Sequence, residues 1–312
     1  MESFWIAFYA VLPFLLYLAF GAIARKTGAA DKDFLNKLNT FVFKVFFPIL
    51  MFKNVYWVGS GFTLNLHFVA FALISLFAVI AVLMLTVPRI VKENPRRGVI
   101  VQGIYRSNIV LFAIPLAENI YGSDSNFLAT MLVAFVVPVY NAMAVIILEY
   151  FNGTTTSRLA LLKKVAKNPL ILGILTGILF RFFKIPIPDF LAQPAKLFAD
   201  MATPLALFAL GGTLTFSAVR HNALRILAVC SIKLIFLPIV IFTLASFMKF
   251  TPIEKFMLLI MYATPTAVSS FPMAQNMGGD GELAGQIVVF TTTFSMFTLF
   301  LFIFILKLLG LS

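Results

Sequence analysis

"IYRSNIVLFAIPLAENIYG", residues 104–122, has the length and apolar content of a membrane span. Yet it carries Arg106, Ser107, Asn108, Glu118 and Asn119, with Pro115 well inside. In lipid, each unsatisfied backbone group costs several kcal/mol, so a broken, polar span persists only where protein or a water-filled cavity satisfies it. Taken alone, the segment could equally be a helix kinked by proline whose polar side chains bond to their own backbone. The rest of the chain decides between the two.

The surroundings are those of a polytopic helical membrane protein. The 312 residues are 61% hydrophobic and only 12% charged, with mean hydropathy +1.01, more apolar surface than one soluble core could hide. The apolar runs are continuous and rich in Leu, Phe, Ile and Ala, which excludes the alternating ~10-residue strands of a membrane β-barrel. At ~20 apolar residues per span, ten spans are predicted: 4–24, 34–57, 66–88, 98–121, 126–150, 168–184, 197–218, 224–248, 254–277 and 283–309.

The net charge of +12 is not a nucleic-acid signature, because the basic residues fall in short loops between spans. With the N-terminus outside, fourteen Lys and Arg lie on the cytoplasmic side against seven on the outer side. The positive-inside rule therefore places both termini outside an inner (plasma) membrane. The N-terminal stretch has no basic residue before its apolar run and reads as a retained first span, not a signal peptide. Residues 151–167 end in a basic amphipathic stretch expected on the inner membrane surface. This orientation leaves the sequon Asn152-Gly153-Thr154 in the cytoplasm, away from glycosylation.

The chain also repeats itself. At an offset of 156, Gly21 meets Gly177, Arg25 meets Arg181, Asp33-Phe34-Leu35 meets Asp189-Phe190-Leu191, and Pro48 meets Pro204. At 157, Pro95 meets Pro252, Tyr105 meets Tyr262, Pro115 meets Pro272, Asn119 meets Asn276 and Gly122 meets Gly279. The repeats are residues 1–155 and 156–312. Five spans in each half is an odd number, so the halves enter the membrane from opposite sides as inverted repeats. The fourth span then pairs with the ninth, which carries Thr264, Pro265, Thr266, Ser269, Ser270, Pro272, Gln275 and Asn276. Two broken polar spans at symmetric positions point to a binding site near the midplane.

Lone charges within spans add candidates, since they usually face a cavity or a partner. Lys44 lies one turn before Pro48, and Asp200 one turn before Pro204. Either the two neutralise each other, or Lys44 holds an anionic substrate while Asp200 serves coupling or structure. Lys233 and Glu149, nearer span ends, are read as snorkelling to the interface. Cys230 is the single cysteine, and His67 and His221 lack metal-ligand spacing, so no metal site or internal disulfide is expected.

"SNIVLFAIPLAENIYG", "NPLILGILTGILF", "ADMATPLALFALGGTL" and "ATPTAVSSFPMAQNMGGDGELAGQIVVFTTTFS" together resemble the auxin efflux carrier family. That family contains plant auxin carriers and short bacterial permeases for malate, malonate and similar acids. The resemblance spans nearly the whole chain, and the short central loop is similar to the bacterial members. It implies a ten-helix inverted-repeat fold like that of bile-acid symporters and sodium/proton antiporters. Spans 1, 2, 6 and 7 would form a scaffold, homodimeric through spans 2 and 7. Spans 3–5 and 8–10 would form a mobile transport domain in which spans 4 and 9 unwind and cross. The plant Pro-Asn and Pro-Gln pairs at the crossover match Ser107-Asn108 and Pro265-Thr266 here, so the first break is expected at Ser107-Asn108 with Pro115 beyond it. Lys44 falls where the plant carriers have an apolar residue facing the site, which points away from auxin toward a more strongly charged anion.

These readings converge on a secondary transporter of a small organic anion, a carboxylate or dicarboxylate such as malate or malonate, or an auxin-like acid, working by elevator-type alternating access. Asn108, Lys44, Ser107, Thr264, Pro265 and Thr266 are the expected substrate residues. The alternative is a symporter or antiporter in which Asp200, Glu118 or Gln275 helps bind Na+ or H+; another is a membrane receptor without transport. No metalloprotease, serine-hydrolase or ATP-binding motif is present, which argues against an enzyme.

Overall fold

The computed structural model describes residues 2–58, 65–122, 126–153 and 157–308. They are α-helical throughout, and the one β-type pairing among them is an isolated bridge. Helix occupies each of the ten predicted segments. The elements are α1 (Glu2–Lys26), α2 (Lys32–Phe41), α3 (Phe47–Tyr56), α4 (Leu66–Ile90), α5 (Asn94–Tyr105), α6 (Ile109–Tyr121), α7 (Asn126–Asn152) and α8 (Arg158–Ala166). They continue with α9 (Pro169–Phe182), α10 (Asp189–Thr213), α11 (Phe216–Ser231), α12 (Leu237–Ser246), α13 (Pro252–Ala263), α14 (Ser270–Asn276) and α15 (Gly281–Leu308). Among the described residues five helical stretches are long and apolar enough to cross a membrane, or six if α8 and α9, bent by 68° at their junction, count as one span. Thr154 of the sequon and the last residue of the tenth predicted span lie outside the described residues.

Two of the long stretches contain a wide π turn where α-helix would otherwise run on. Val42–Phe46 joins α2 to α3, and Ile232–Phe236 joins α11 to α12. Each is followed within two residues by a proline, Pro48 or Pro238, near the start of the next helix. Proline has no N–H to donate and its ring crowds the carbonyl one turn back, so the helix opens locally instead of ending.

Glycine sets the closest helix contacts. A Cβ on Gly21 would lie 1.9 Å from the Phe208 carbonyl oxygen, and one on Gly211 would lie 2.0 Å from that of Leu18, so α1 and α10 touch backbone to backbone. Gly173 on α9 meets the Pro48 carbonyl of α3 in the same way, at 2.3 Å. Apolar packing between helices gains little in lipid because the tails are equally apolar, and small residues compensate by admitting close approach. These contacts join α1 to α10 and α3 to α9.

The fourth and ninth predicted spans are each two helices. α13 stops at Thr264, which precedes Pro265 and takes an extended conformation (φ −72°, ψ 151°), as steric conflict with the proline ring requires. α5 stops at Arg106, also extended (φ −87°, ψ 120°), with no proline nearby. Pro115 sits inside α6, beyond the break. Both second halves carry one motif: Asn119 Nδ2 donates to the Pro115 carbonyl at 2.7 Å, and Asn276 Nδ2 to the Pro272 carbonyl at 2.8 Å.

Candidate functional site

The two breaks meet. Ser107 and Thr266 form an isolated antiparallel bridge, and the Asn108 N–H donates to the Pro265 carbonyl at 2.9 Å. Each break thus satisfies backbone groups of the other, as membrane depth demands. Side chains complete the set. The Thr266 hydroxyl donates to the Gly103 carbonyl at 2.6 Å, Thr291 Oγ1 accepts the Thr266 N–H at 3.2 Å, and Gln102 Nε2 donates to the Ser270 carbonyl at 3.2 Å.

Beside this junction lies a cavity of about 1100 Å³. One wall comes from α1, α3 and α10, including Phe14, Phe47, Asn54, Asp200 and Thr203. The other comes from the breaks and α7, through Arg106, Ser107, Asn108, Tyr140, Asn141 and Ser269. Lys53 and Lys307 also line it, as do Trp5 and Tyr9 near the start of the chain, so the cavity reaches the side holding both ends of the chain. The volume is large enough for a small organic solute, and the wall is mostly apolar with a few converging polar groups.

Arg106 is the chemical centre of that wall. It is 2% exposed. Its guanidinium donates to Ser269 Oγ at 2.7 Å, to Met273 Sδ at 2.9 Å, to Ser270 Oγ at 3.4 Å and to Asn141 Oδ1. Asn141 is fixed in turn by its own bond to the Val137 carbonyl at 2.8 Å. All four partners are neutral. The ion pairs among the described residues lie elsewhere, so this buried charge has no anion beside it. An uncompensated charge at membrane depth is expensive, and functional sites are where it persists.

A second buried cation stands behind the first break. Lys233, in the π turn between α11 and α12, is 0% exposed and donates from Nζ to Ser107 Oγ. This corrects the reading of Lys233 as a snorkelling residue. The π turn places it mid-helix and directs it at the junction rather than at the membrane surface. An ammonium has only donors, so it uses a lone pair of Ser107 and leaves the Ser107 hydroxyl hydrogen for another acceptor. The positive end of α6 adds to the field. Asn108 is its N-cap residue, and the Asn108 side chain makes no capping bond and no hydrogen bond to a described residue. The first-turn N–H groups of α6 therefore begin at the cavity wall without a side-chain cap.

The structure sorts the remaining expected residues. Ser107 and Asn108 line the cavity. Pro265 and Thr266 lie at the junction and bond within it, while Thr264 is buried with its hydroxyl lacking a hydrogen-bond partner among the described residues. Lys44 lies in the exposed part of the first π turn, apart from the cavity lining. Asp200 does reach the cavity, but its ion-pair partner is Lys53, not Lys44. Gln275 is tied to α2, accepting from Asn39 Nδ2 at 2.6 Å and donating to Asn36 Oδ1 at 2.9 Å. Glu118 is exposed on α6. Glu149 pairs with Lys164 of α8 at 3.7 Å. Among the described residues no three His, Cys, Asp or Glu cluster as a metal site would require.

Arg106, Lys53, Lys233, Asn141 and Ser269 are the cavity and junction residues that sequence reasoning did not select. Arg106 was visible as a charge inside an apolar segment, which was the one usable signal. The facing of Lys53 and the depth of Lys233 carried none.

Comparison with known proteins agrees with this picture. A sequence profile described as "Membrane transport protein" matches residues 6–303. A protein of Rhizobium meliloti (strain 1021), described as a "Putative malonate transporter", is 23% identical over 295 residues, covering 92% of each chain. An uncharacterized transporter of Methanocaldococcus jannaschii is 25% identical over 306 residues, covering 95% of this chain and 97% of its own. A match from residue 6 to residue 303, with apolar helices long enough to span a bilayer, settles the assignment: the chain is an integral membrane protein and belongs to the membrane transport protein family.

Proposed function

We propose that the protein is a secondary transporter of a small organic anion, a carboxylate or dicarboxylate, bound at the junction of the two helix breaks. The observation that carries this is Arg106, a buried guanidinium without an ionic partner among the described residues, in the wall of a cavity of about 1100 Å³. An anion there would accept from Arg106, from the Ser107 hydroxyl that Lys233 holds, from the Asn108 amide and from the first turn of α6. The malonate named for the Rhizobium relative is a short dicarboxylate, the same chemical class.

The transport cycle we propose is elevator-like. Ten spans form two inverted five-span repeats, with α5–α6 and α13–α14 as the crossing pair. The matching Asn119–Pro115 and Asn276–Pro272 bonds support that symmetry. α1, α2–α3, α9 and α10 would be the scaffold, dimeric through α2–α3 and α10, and the remaining helices the moving domain. The cavity reaches the side of the chain ends, which charge bias assigns to the outside, so this conformation would face outward. Links such as Gln275 to Asn36 and Asn39 would close the inner side.

The test is counterflow of a labelled dicarboxylate in proteoliposomes. Accumulation driven by unlabelled substrate inside the vesicle supports the reading. Saturable binding without counterflow would make the protein a receptor. Repeating the assay with Na+ and pH gradients separately tests coupling, and a rate indifferent to both would exclude a cation-coupled mechanism.

A further inference from the structure

We infer that Lys53 and Asp200 are a charge-selecting pair that makes the site one for dicarboxylates, with Asp200 standing where the substrate's second carboxylate would bind. The inference rests on the anion-transport reading above and names the substrate class within it.

The charges in the cavity wall are Arg106, Lys53, Lys307 and Asp200. Three cations and one carboxylate give a net charge of +2, complementary to a dianion and excessive for a monoanion. The two ends of the charge pattern differ in character. Arg106 is buried among neutral partners, so it can hold one carboxylate by exchanging its long bond to Ser270 and its bond to Met273 for charge-assisted ones. Among the described residues Lys53 is held by Asp200 alone, and that pair is accessible: the side chains are 27% and 59% exposed. An exposed ion pair is worth little, so a substrate carboxylate can replace Asp200 on the Lys53 ammonium at small cost.

The carboxylate that leaves has somewhere to go. Asp200 lines the cavity with 59% of its side chain accessible, so it can turn aside when displaced. A monocarboxylate held by Arg106 has no second carboxylate to displace it, and Asp200 then stays on Lys53 and keeps that ammonium neutralised. Asn54, 8% exposed and one residue beyond Lys53, also lines the cavity and offers an amide to the same carboxylate. The pair therefore discriminates by rewarding a second carboxylate, which gains the Lys53 ammonium, while a monocarboxylate gains nothing there.

The experiment measures binding of malonate and of propionate to the purified full-length protein by titration calorimetry, in wild type, Lys53→Met and Asp200→Asn. Wild type is expected to prefer malonate at least tenfold. Lys53→Met should cut the malonate-to-propionate affinity ratio by about tenfold or more. Asp200→Asn should raise malonate affinity several-fold, because the competitor for Lys53 is gone. An unchanged ratio in Lys53→Met, or weaker malonate binding in Asp200→Asn, overturns the selecting role while leaving an anion site at Arg106 standing. A wild-type protein that binds neither acid overturns both readings.

Discussion

Arg106 is the residue on which the anion reading stands, and Arg106→Gln separates a binding role from a structural one. The replacement keeps an amide donor near Ser269 and Asn141 but removes the charge. A guanidinium–carboxylate contact made of two charge-assisted hydrogen bonds contributes roughly 3 kcal/mol, which corresponds to a loss of about 100-fold in affinity. Stability should respond differently. The wild-type guanidinium donates to Asn141, Ser269, Ser270 and Met273, and losing hydrogen bonds from a charged donor costs about 1.5 kcal/mol or more each. Against that loss stands relief of a buried charge with no counter-ion, whose desolvation costs several kcal/mol. The two terms are of similar size, so the melting temperature of the ligand-free variant is expected to stay near the wild-type value, while dicarboxylate affinity falls about 100-fold. Thermal unfolding in detergent, with and without ligand, measures both quantities on one sample. A variant that melts well below wild type yet keeps its affinity would refute the reasoning, and Arg106 would then be an anchor for the α13–α14 break.

Three further outcomes are expected. Ser107→Ala, which removes the hydroxyl between Lys233 and the cavity, should weaken dicarboxylate binding about five- to tenfold, the equivalent of roughly 1 kcal/mol, in the same calorimetric assay. Gly211→Val should abolish the folded protein, because its side chain would begin 2.0 Å from the Leu18 carbonyl oxygen; Gly28→Ala, at φ +78° with open space around it, should cost only about 1 kcal/mol by thermal melting. Gln275→Ala should speed hydrogen exchange of α14 and α2 without affecting α1, since it cuts the bonds to Asn36 and Asn39; equal exchange in all three helices would show that the link holds nothing closed.

Much of the architecture was legible in the chain itself. Apolar runs of span length can only be helical in lipid, since a helix satisfies its own backbone, and helices lie over every predicted segment. The break before Pro265 follows from proline's effect on Thr264, a purely local cause. The Pro115/Asn119 and Pro272/Asn276 spacings were readable as a repeat, and each pair makes the same hydrogen bond. The amphipathic basic stretch before the sixth predicted span is the helix α8. What tertiary structure decided was the facing of the charges. Lys44 and Lys233 look alike in sequence, each a lone lysine in an apolar run shortly before a proline. Both sit in π turns, where the 3.6-residue period used to assign a helix face no longer holds. One is exposed and the other fully buried against Ser107. The break at Arg106 has no proline to announce it; its backbone groups are satisfied by Pro265 and Thr266, more than 150 residues away in the chain. A local pattern can say that a segment will not stay helical or will not face lipid, but which cation meets the cavity depends on the partner segment across it, and that is fixed only when the two breaks are folded together.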